Sequence, residues 1–184
     1  MSSGSGKSSY PFDGKLGILM TSITDNPGLS SRAVIRRLCE GDAGALQHAC
    51  YPDIPLEDVQ DYVTWCLHPS RQSWIIRLVA EVDGEVVANA QLTVWGTSGE
   101  IGSVVVADAY RRQGLARQLI TALMAEAQAR GVAELEIWVR QDQPAIEGFY
   151  QQMGFLPCQA PKNGLSHPAR PEPAIRLRMQ LRGR

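Results

Sequence analysis

Lysine is scarce in this chain. Lys7, Lys15 and Lys162 are the only lysines among 18 basic residues, so arginine supplies nearly all of the positive charge. Arginine suits fixed, two-pronged contact with phosphate and carboxylate groups. Cysteine is also sparse. Cys39, Cys50, Cys66 and Cys158 form no C-x-x-C pair, which excludes a small disulfide-built scaffold and fits free thiols in a reducing cytoplasm. No apolar run approaches the roughly 18 residues that a membrane-spanning helix needs. The run Leu16-Gly17-Ile18-Leu19-Met20 is too short for the core of a signal peptide, and no clear cleavage site follows it. An excess of basic charge is missing too. The formal net charge is -1, against the basic balance expected of a nucleic-acid-binding protein.

What remains is an average globular composition. The 184 residues are 44% hydrophobic and 20% charged, enough for one domain with a sizeable core. The first 31 residues differ, being rich in Ser and Gly and in turn-forming residues around Asp25-Asn26-Pro27-Gly28. They read as a flexible N-terminal leader, with residues 32–184 as the folded domain.

Periodicity predicts strands over 33–38, 74–82, 85–95, 100–106, 134–139, 155–158 and 174–181. Asp83-Gly84 is a hairpin turn between the second and third. Asp42 is placed to cap a short helix running to about residue 50, and a second helix opens at Pro55 with Val59, Val63, Cys66 and Leu67 on one face. The strongest helix spans 114–130: Leu115, Leu119, Leu123 and Ala127 follow at i, i+4, and Gly131 stops it. Pro144 starts a further helix that Gly154 ends. A Pro-rich connection precedes the last strand. The order β-α-α-β-β-β-α-β-α-β-β predicts an α/β fold on a mixed sheet.

The chemistry concentrates at one junction. The strand Val104-Val105-Val106 runs into Arg111-Arg112-Gln113-Gly114-Leu115-Ala116-Arg117, where a helix begins at a glycine. The first amides of a helix lack internal partners and carry partial positive charge. Gly114 and Ala116 let an anion approach the backbone, and three arginines surround the point, so this junction reads as a diphosphate cradle. The spacing is not that of a dinucleotide-binding fingerprint.

Arg111-x-x-Gly114-x-Ala116 resembles the R/Q-x-x-G-x-G/A signature of the GNAT superfamily of N-acetyltransferases. Gln143-Pro144-Ala145-Ile146-Glu147-Gly148-Phe149-Tyr150, followed by Gly154-Phe155, resembles that family's second signature. The resemblance implies a mostly antiparallel sheet splayed between two parallel strands, 100–106 and 134–139, with helices on both faces. It implies acetyl-CoA as acyl donor, with no metal, and direct transfer to a primary amine of a small molecule, peptide or protein. It implies pantetheine paired with the backbone of Val104 and Val106, beside Val105, and pyrophosphate on the amides from Arg112 to Arg117. It also gives Tyr150 the role of proton donor to the departing thiolate, and Gln143, where the family often has Asn, a contact with the donor. Dimers are common in the family, so a homodimer is compatible.

The amine must be neutral to attack, and deprotonating a lysine-like amine at pH 7 costs about 4.6 kcal/mol. A base would offset that cost. In many family members a Glu on the strand before the cradle serves, but here that position is Gly102. Glu100, two residues earlier on the same face, is the candidate base through water, with Ser103 adjacent. The departure at Gly102 keeps open a second reading, a non-catalytic acyl-CoA-binding sensor or scaffold.

Weaker signals remain. Gly6-Lys7-Ser8 resembles the end of a P-loop without its preceding strand. His48-x-Cys50 and Cys66-x-His68 sit two apart on helices, a poor spacing for a shared metal. Asp53, Glu57, Asp58 and Asp61 read either as an acidic rim for a cationic amine or as a solvated helix start.

Overall fold

Two tight reversals set up the sheet. Asp83 and Gly84 both take positive φ, 52° and 87°, the mirror-image turn that matches strand twist. Gly96, at φ 60°, makes a second reversal that the sequence reading missed. The computed structural model describes residues 33–158 and 173–181. The expected leader, the P-loop-like tripeptide and the Pro-rich connection lie outside the described residues.

In chain order the elements are β1 (Ala33–Arg37), α1 (Ala43–Cys50), α2 (Leu56–Leu67), β2 (Ile75–Val82), β3 (Glu85–Trp95), β4 (Ser98–Val106), α3 (Leu115–Ala129), β5 (Glu134–Arg140), α4 (Pro144–Gln152), β6 (Leu156–Cys158) and β7 (Ala174–Gln180). The predicted element order holds. The largest boundary change is at β4, which starts two residues early because the Gly96 turn delivers Ser98 opposite Trp95. The seven strands form one sheet in the order β1-β2-β3-β4-β5-β7-β6. All neighbours are antiparallel except β4 and β5, which run parallel.

The sheet carries a core on each face. On one, Leu119, Ile120 and Leu123 of α3 are fully buried against Ile76, Leu78 and Leu92; each such side chain stabilises the fold by about 1.5–3 kcal/mol. On the other, Leu46 of α1 and Val59 and Val63 of α2 pack on Val79 and Val105. The three valines of β4 thus divide between the faces, as a run buried on both sides requires.

Asp42 departs from its expected role. A 3-10 turn, Glu40–Asp42, precedes α1, and the Asp42 carboxylate makes no cap on that helix. It accepts instead from the Cys39 amide at 2.8 Å and from both terminal nitrogens of Arg36 at 2.8 Å. The arginine is the stronger partner, because both groups of this two-pronged pair are charged, whereas a cap would pair the carboxylate with neutral amides.

The second face also buries a charge that the sequence did not announce. Arg77 is 4% exposed. Its guanidinium donates to the hydroxyls of Tyr51 (2.8 Å) and Tyr62 and to the side-chain carbonyls of Gln91 (2.9 Å) and Asn89. Burial pushes both phenols up, against the pull of the Arg77 charge, so they stay protonated. The cluster ties α1 and α2 to β2 and β3. It continues through Gln91, whose amide donates to Thr93 Oγ1 at 3.1 Å. A buried guanidinium is tolerated where hydrogen bonds replace its hydration.

Candidate functional site

The site begins where β4 and β5 part. Their pairing covers only three positions, Ser98 with Glu134, Gly99 with Leu135 and Glu100 with Glu136. β5 continues to pair with β7 as far as Arg140 with Ala174, and β4 continues to pair with β3 as far as Val106 with Ala88. The two strands therefore remain in the sheet while diverging from each other. The cause lies in β4. Asn89 faces Val105 but Gln91 faces Gly102, so one extra residue is inserted, and Ser103 there adopts φ 49°. A non-glycine residue in the left-handed region costs about 1–2 kcal/mol. Such strain, together with the bend a bulge imposes, belongs to places where a strand must be re-aimed. The sequence marks the bulge only by an unremarkable Gly-Ser pair.

Past the bulge, the Ala107 amide bonds to the Val87 carbonyl of β3 at 2.8 Å. Alternation then turns the backbone groups of Val106, and of Val104 two residues before it, toward the opening. The resemblance implied this exposed edge. One of its groups is already engaged: Arg111 Nε donates to the Val106 carbonyl at 3.2 Å. Arg111 also pairs with Asp108. Its guanidinium thus ties the loop to the strand end, a structural use alongside the phosphate role expected of it.

The start of α3 is left uncapped. Gly114 sits at the N-cap of α3 with φ 80° and provides no capping side chain. The helix's own bonding begins with the Gln118 amide on the Gly114 carbonyl, 3.0 Å, so the Leu115 and Ala116 amides precede any helical acceptor. Arg112 is also left-handed, at φ 65°. Left-handed residues in close succession curl backbone amides into an anion-binding concavity. Gln113 lies between them, its side-chain amide donating to the Ala109 carbonyl at 3.1 Å. Leu115 and Ala116 are buried beneath the helix start, and Arg112 is exposed. Arg117 lies over the Phe149 ring, 5.3 Å from its centre, which joins the start of α3 to α4. These residues fit a diphosphate group. Gly114→Val is expected to weaken CoA binding at least tenfold, measured by calorimetry, because a β-branched residue resists positive φ and its side chain crowds the amides.

α4 follows β5 directly and places Gln143 at its N-cap, where the Gln143 carbonyl accepts from the Ile146 amide at 3.0 Å. About two turns on, Phe149 and Tyr150 are buried. The Tyr150 ring makes edge contacts with Phe149 (5.2 Å between centres) and Phe155 (5.8 Å). Burial pushes its phenol up, so it holds its proton across the physiological range.

Glu100 lies on the opposite face of the sheet from α3, beside Thr93 of β3 and Glu136 of β5. Its side chain leans along the strand: Glu100 Oε1 is 3.7 Å from where a Cβ on Gly102 would stand. The carboxylate therefore reaches toward the space that a longer side chain at 102 would enter. Sequence reasoning missed the partner beside it. Glu136 is buried and accepts from Arg176 Nε at 2.8 Å and from the Trp138 indole at 3.3 Å. Alternating charged and aromatic residues on β5 and β7 were the available signal, but only register shows which arginine meets which glutamate.

The remaining candidates separate. His48 and His68 are exposed while Cys50 and Cys66 are buried, so each pair splits between solvent and core. Asp53, Glu57 and Asp61 are exposed around the start of α2, where negative charge suits a helix N-terminus.

The family model described as acetyltransferase (GNAT) family matches residues 42–155. An acetyltransferase of Yersinia pestis (strain Pestoides F) is 36% identical over 78 residues, 42% of this chain and 55% of the relative. The chain thus spans about half the length of the curated relatives it matches. Among solved structures, the ribosomal-protein-S18-alanine N-acetyltransferase of Escherichia coli superposes with a TM-score of 0.63 at 23% identity, covering 80% of this chain and 93% of that one. The yncA protein of Salmonella typhimurium, solved with its cofactor acetyl-CoA, gives 0.63 at 20% identity, covering 82% and 95%. At these identities the structural likeness shows the fold.

Proposed function

Because this chain belongs to the GNAT family of acetyltransferases, we propose that it is an acetyl-CoA-dependent N-acetyltransferase that passes the acetyl group directly to a primary amine, with residues 32–184 as its catalytic domain. The observation that carries this reading is the pairing of a parted β4–β5 edge with an uncapped helix start at Gly114. One can hold an extended pantetheine arm by strand-like pairing. The other can hold its diphosphate.

In this reading Arg112, Gln113, Gly114, Leu115, Ala116 and Arg117 bind the diphosphate, mainly through backbone amides, and Arg111 braces the loop that presents them. Val104, Val105 and Val106 line the pantetheine path, and Gln143 contacts the donor from the start of α4. When bound, the donor supplies an acyl carbon activated as a thioester. Glu100 takes a proton from the acceptor ammonium, through water, leaving a nitrogen lone pair for attack. Tyr150, kept protonated by burial, gives its hydroxyl proton to the departing sulfur. No metal enters the scheme.

The acceptor is an amine of a small molecule, peptide or protein. The name of the Escherichia coli neighbour specifies a ribosomal-protein alanine, and that of a Vibrio cholerae neighbour specifies spermidine and spermine. Both acceptors present an amine. Free thiols at Cys39, Cys50, Cys66 and Cys158 fit a reducing, cytoplasmic setting, and a homodimer is compatible with the fold.

The direct test is release of CoA from acetyl-CoA across a panel of polyamines, amino acids and peptides with free N-termini or lysines. Turnover of at least one class is expected. Tight acetyl-CoA binding without turnover of any amine would favour the sensor or scaffold reading, which the glycine at 102 supports.

A further inference from the structure

Four residues form a square on the face of the sheet that carries Glu100. Gln91 and Thr93 of β3 lie opposite Gly102 and Glu100 of β4. Directly opposed residues project to one face, with Cβ positions about 5 Å apart. Three corners hold a polar side chain and the fourth is bare. Among the described residues, chain neighbours aside, only Glu100 Oε1, at 3.7 Å, lies within 4 Å of where a Cβ on Gly102 would stand. Glu100 thus leans along β4 toward the bare corner. On β3 the Thr93 hydroxyl is held toward the same end, because it accepts from Gln91 Nε2 at 3.1 Å. Thr93, Glu100 and Gly102 are all half-buried, so solvent can reach the space between them.

The direction of the hydrogen bonds leading to this corner is fixed from the core. Arg77 is buried, and its guanidinium can only donate. It donates to Gln91 Oε1 at 2.9 Å and to the Tyr62 hydroxyl. Tyr62 passes its own hydrogen to the same Oε1 at 2.7 Å. The Gln91 amide therefore faces Arg77 with its oxygen and turns its NH2 outward to Thr93. An NH2 group can only donate, so Thr93 Oγ1 accepts and its own hydrogen is directed onward. The buried guanidinium in this way sets Thr93 as a donor beside Glu100. A donor hydroxyl, a carboxylate and the room left by a glycine suit an ordered water, which takes about two to four polar partners.

Resting on the reading of Glu100 as the base, we propose that Thr93 is a positioning residue for acetyl transfer: its hydroxyl donates to the oxygen of the water through which Glu100 takes the acceptor proton. That oxygen accepts one ammonium N–H proton as the water gives one of its own hydrogens to the carboxylate. The nitrogen keeps the electron pair of the broken N–H bond, Glu100 becomes a carboxylic acid, and the water is restored. The hydrogen bond from Thr93 occupies one lone pair of the water and leaves the other for the ammonium proton. The glycine at 102 makes room for this water.

The test has two arms, both on the full chain. The first is a crystal structure at a resolution that places waters. A water within hydrogen-bond distance of Thr93 Oγ1 and of a Glu100 carboxylate oxygen is expected, and it should be lost in Thr93→Val; no such water overturns the proposal. The second is kinetic, with an amine that the chain acetylates. Thr93→Val keeps the shape and the branched Cβ that a strand favours, and it should lower kcat/KM for the amine about tenfold, the loss of one hydrogen bond, with acetyl-CoA affinity unchanged. Thr93→Ser should regain most of the rate. In a Glu100→Gln background Thr93→Val should cost less than twofold, because the water then has no base to serve. Equal losses in both backgrounds overturn the proposal, as does a parallel loss of acetyl-CoA affinity, which would make Thr93 structural. A lowered rate in Glu100→Gln beside the parent rate in Thr93→Val overturns the role of Thr93 alone. The parent rate in Glu100→Gln overturns Glu100 as the base, and the relay with it.

Discussion

Tyr150→Phe is expected to lower kcat about a hundredfold, within the range general acid catalysis contributes, with acetyl-CoA affinity changed less than threefold. The reasoning runs from burial to chemistry. The ring is 1% exposed and held edge-on by Phe149 and Phe155. Phenylalanine keeps both contacts, so the variant removes an oxygen and little else. That oxygen carries a proton whose affinity burial has raised. A group of this kind does not act as a base near neutrality, but it can donate to a thiolate formed beside it. The measurement is steady-state turnover alongside calorimetric binding of acetyl-CoA. Wild-type kcat in Tyr150→Phe would remove the acid role. A proportional loss of kcat and donor affinity would instead make the residue structural. Because the phenol stays protonated, Tyr150 should add no basic limb to the rate profile below the pH where the protein itself unfolds.

Glu100→Gln is expected to lower kcat/KM about a hundredfold and to abolish the acidic limb of its pH profile. A base works only when ionised, so in the parent protein the rate should fall as pH drops through the Glu100 midpoint. Glutamine cannot ionise, and its profile should lose that dependence. The geometry favours this residue over its neighbours. Glu100 Oε1 lies 3.7 Å from where a Cβ on Gly102 would stand, so its carboxylate sits beside the point at which a side chain at 102 would begin. Gly102→Glu then becomes informative: among the described residues, chain neighbours aside, only that carboxylate lies within 4 Å of its added Cβ, so the longer side chain can be built, and in a Glu100→Gln background it should recover part of the lost rate. An unchanged limb in Glu100→Gln excludes it as the base.

How much of the site was legible in the sequence differs from residue to residue. The uncapped helix start was legible almost completely. Helix starts, glycine at positive φ and the absence of a cap are local properties of Arg111 to Arg117, set within one turn of backbone. Tyr150 was legible by its place within the second signature, and it is buried beside Phe149 and Phe155. The bulge at Ser103 was not, because its cause lies in how β3 and β4 align. The role of Asp42 was misread for a similar reason: its position before α1 suggested a cap, while Arg36 on β1 offered a stronger partner.

The arginine bias shows the same division. From the sequence, Arg111, Arg112 and Arg117 formed a local group with an assignable purpose, and the others did not. The fold gives several of those others definite partners, Arg77 and Arg176 among them. Arg77 lies among neutral oxygens that hold α1 and α2 to the sheet. Arg176 stands on Glu136, 40 residues earlier. The sequence alone determined the element order, the uncapped helix start at Gly114 and the family, since each rests on contacts within a few residues or on fixed motif spacing. Tertiary structure alone decided which side chains share the face of Glu100 and how they are paired. Strand register is set by the whole sheet, and a shift of one residue would have turned every one of those side chains to the other side.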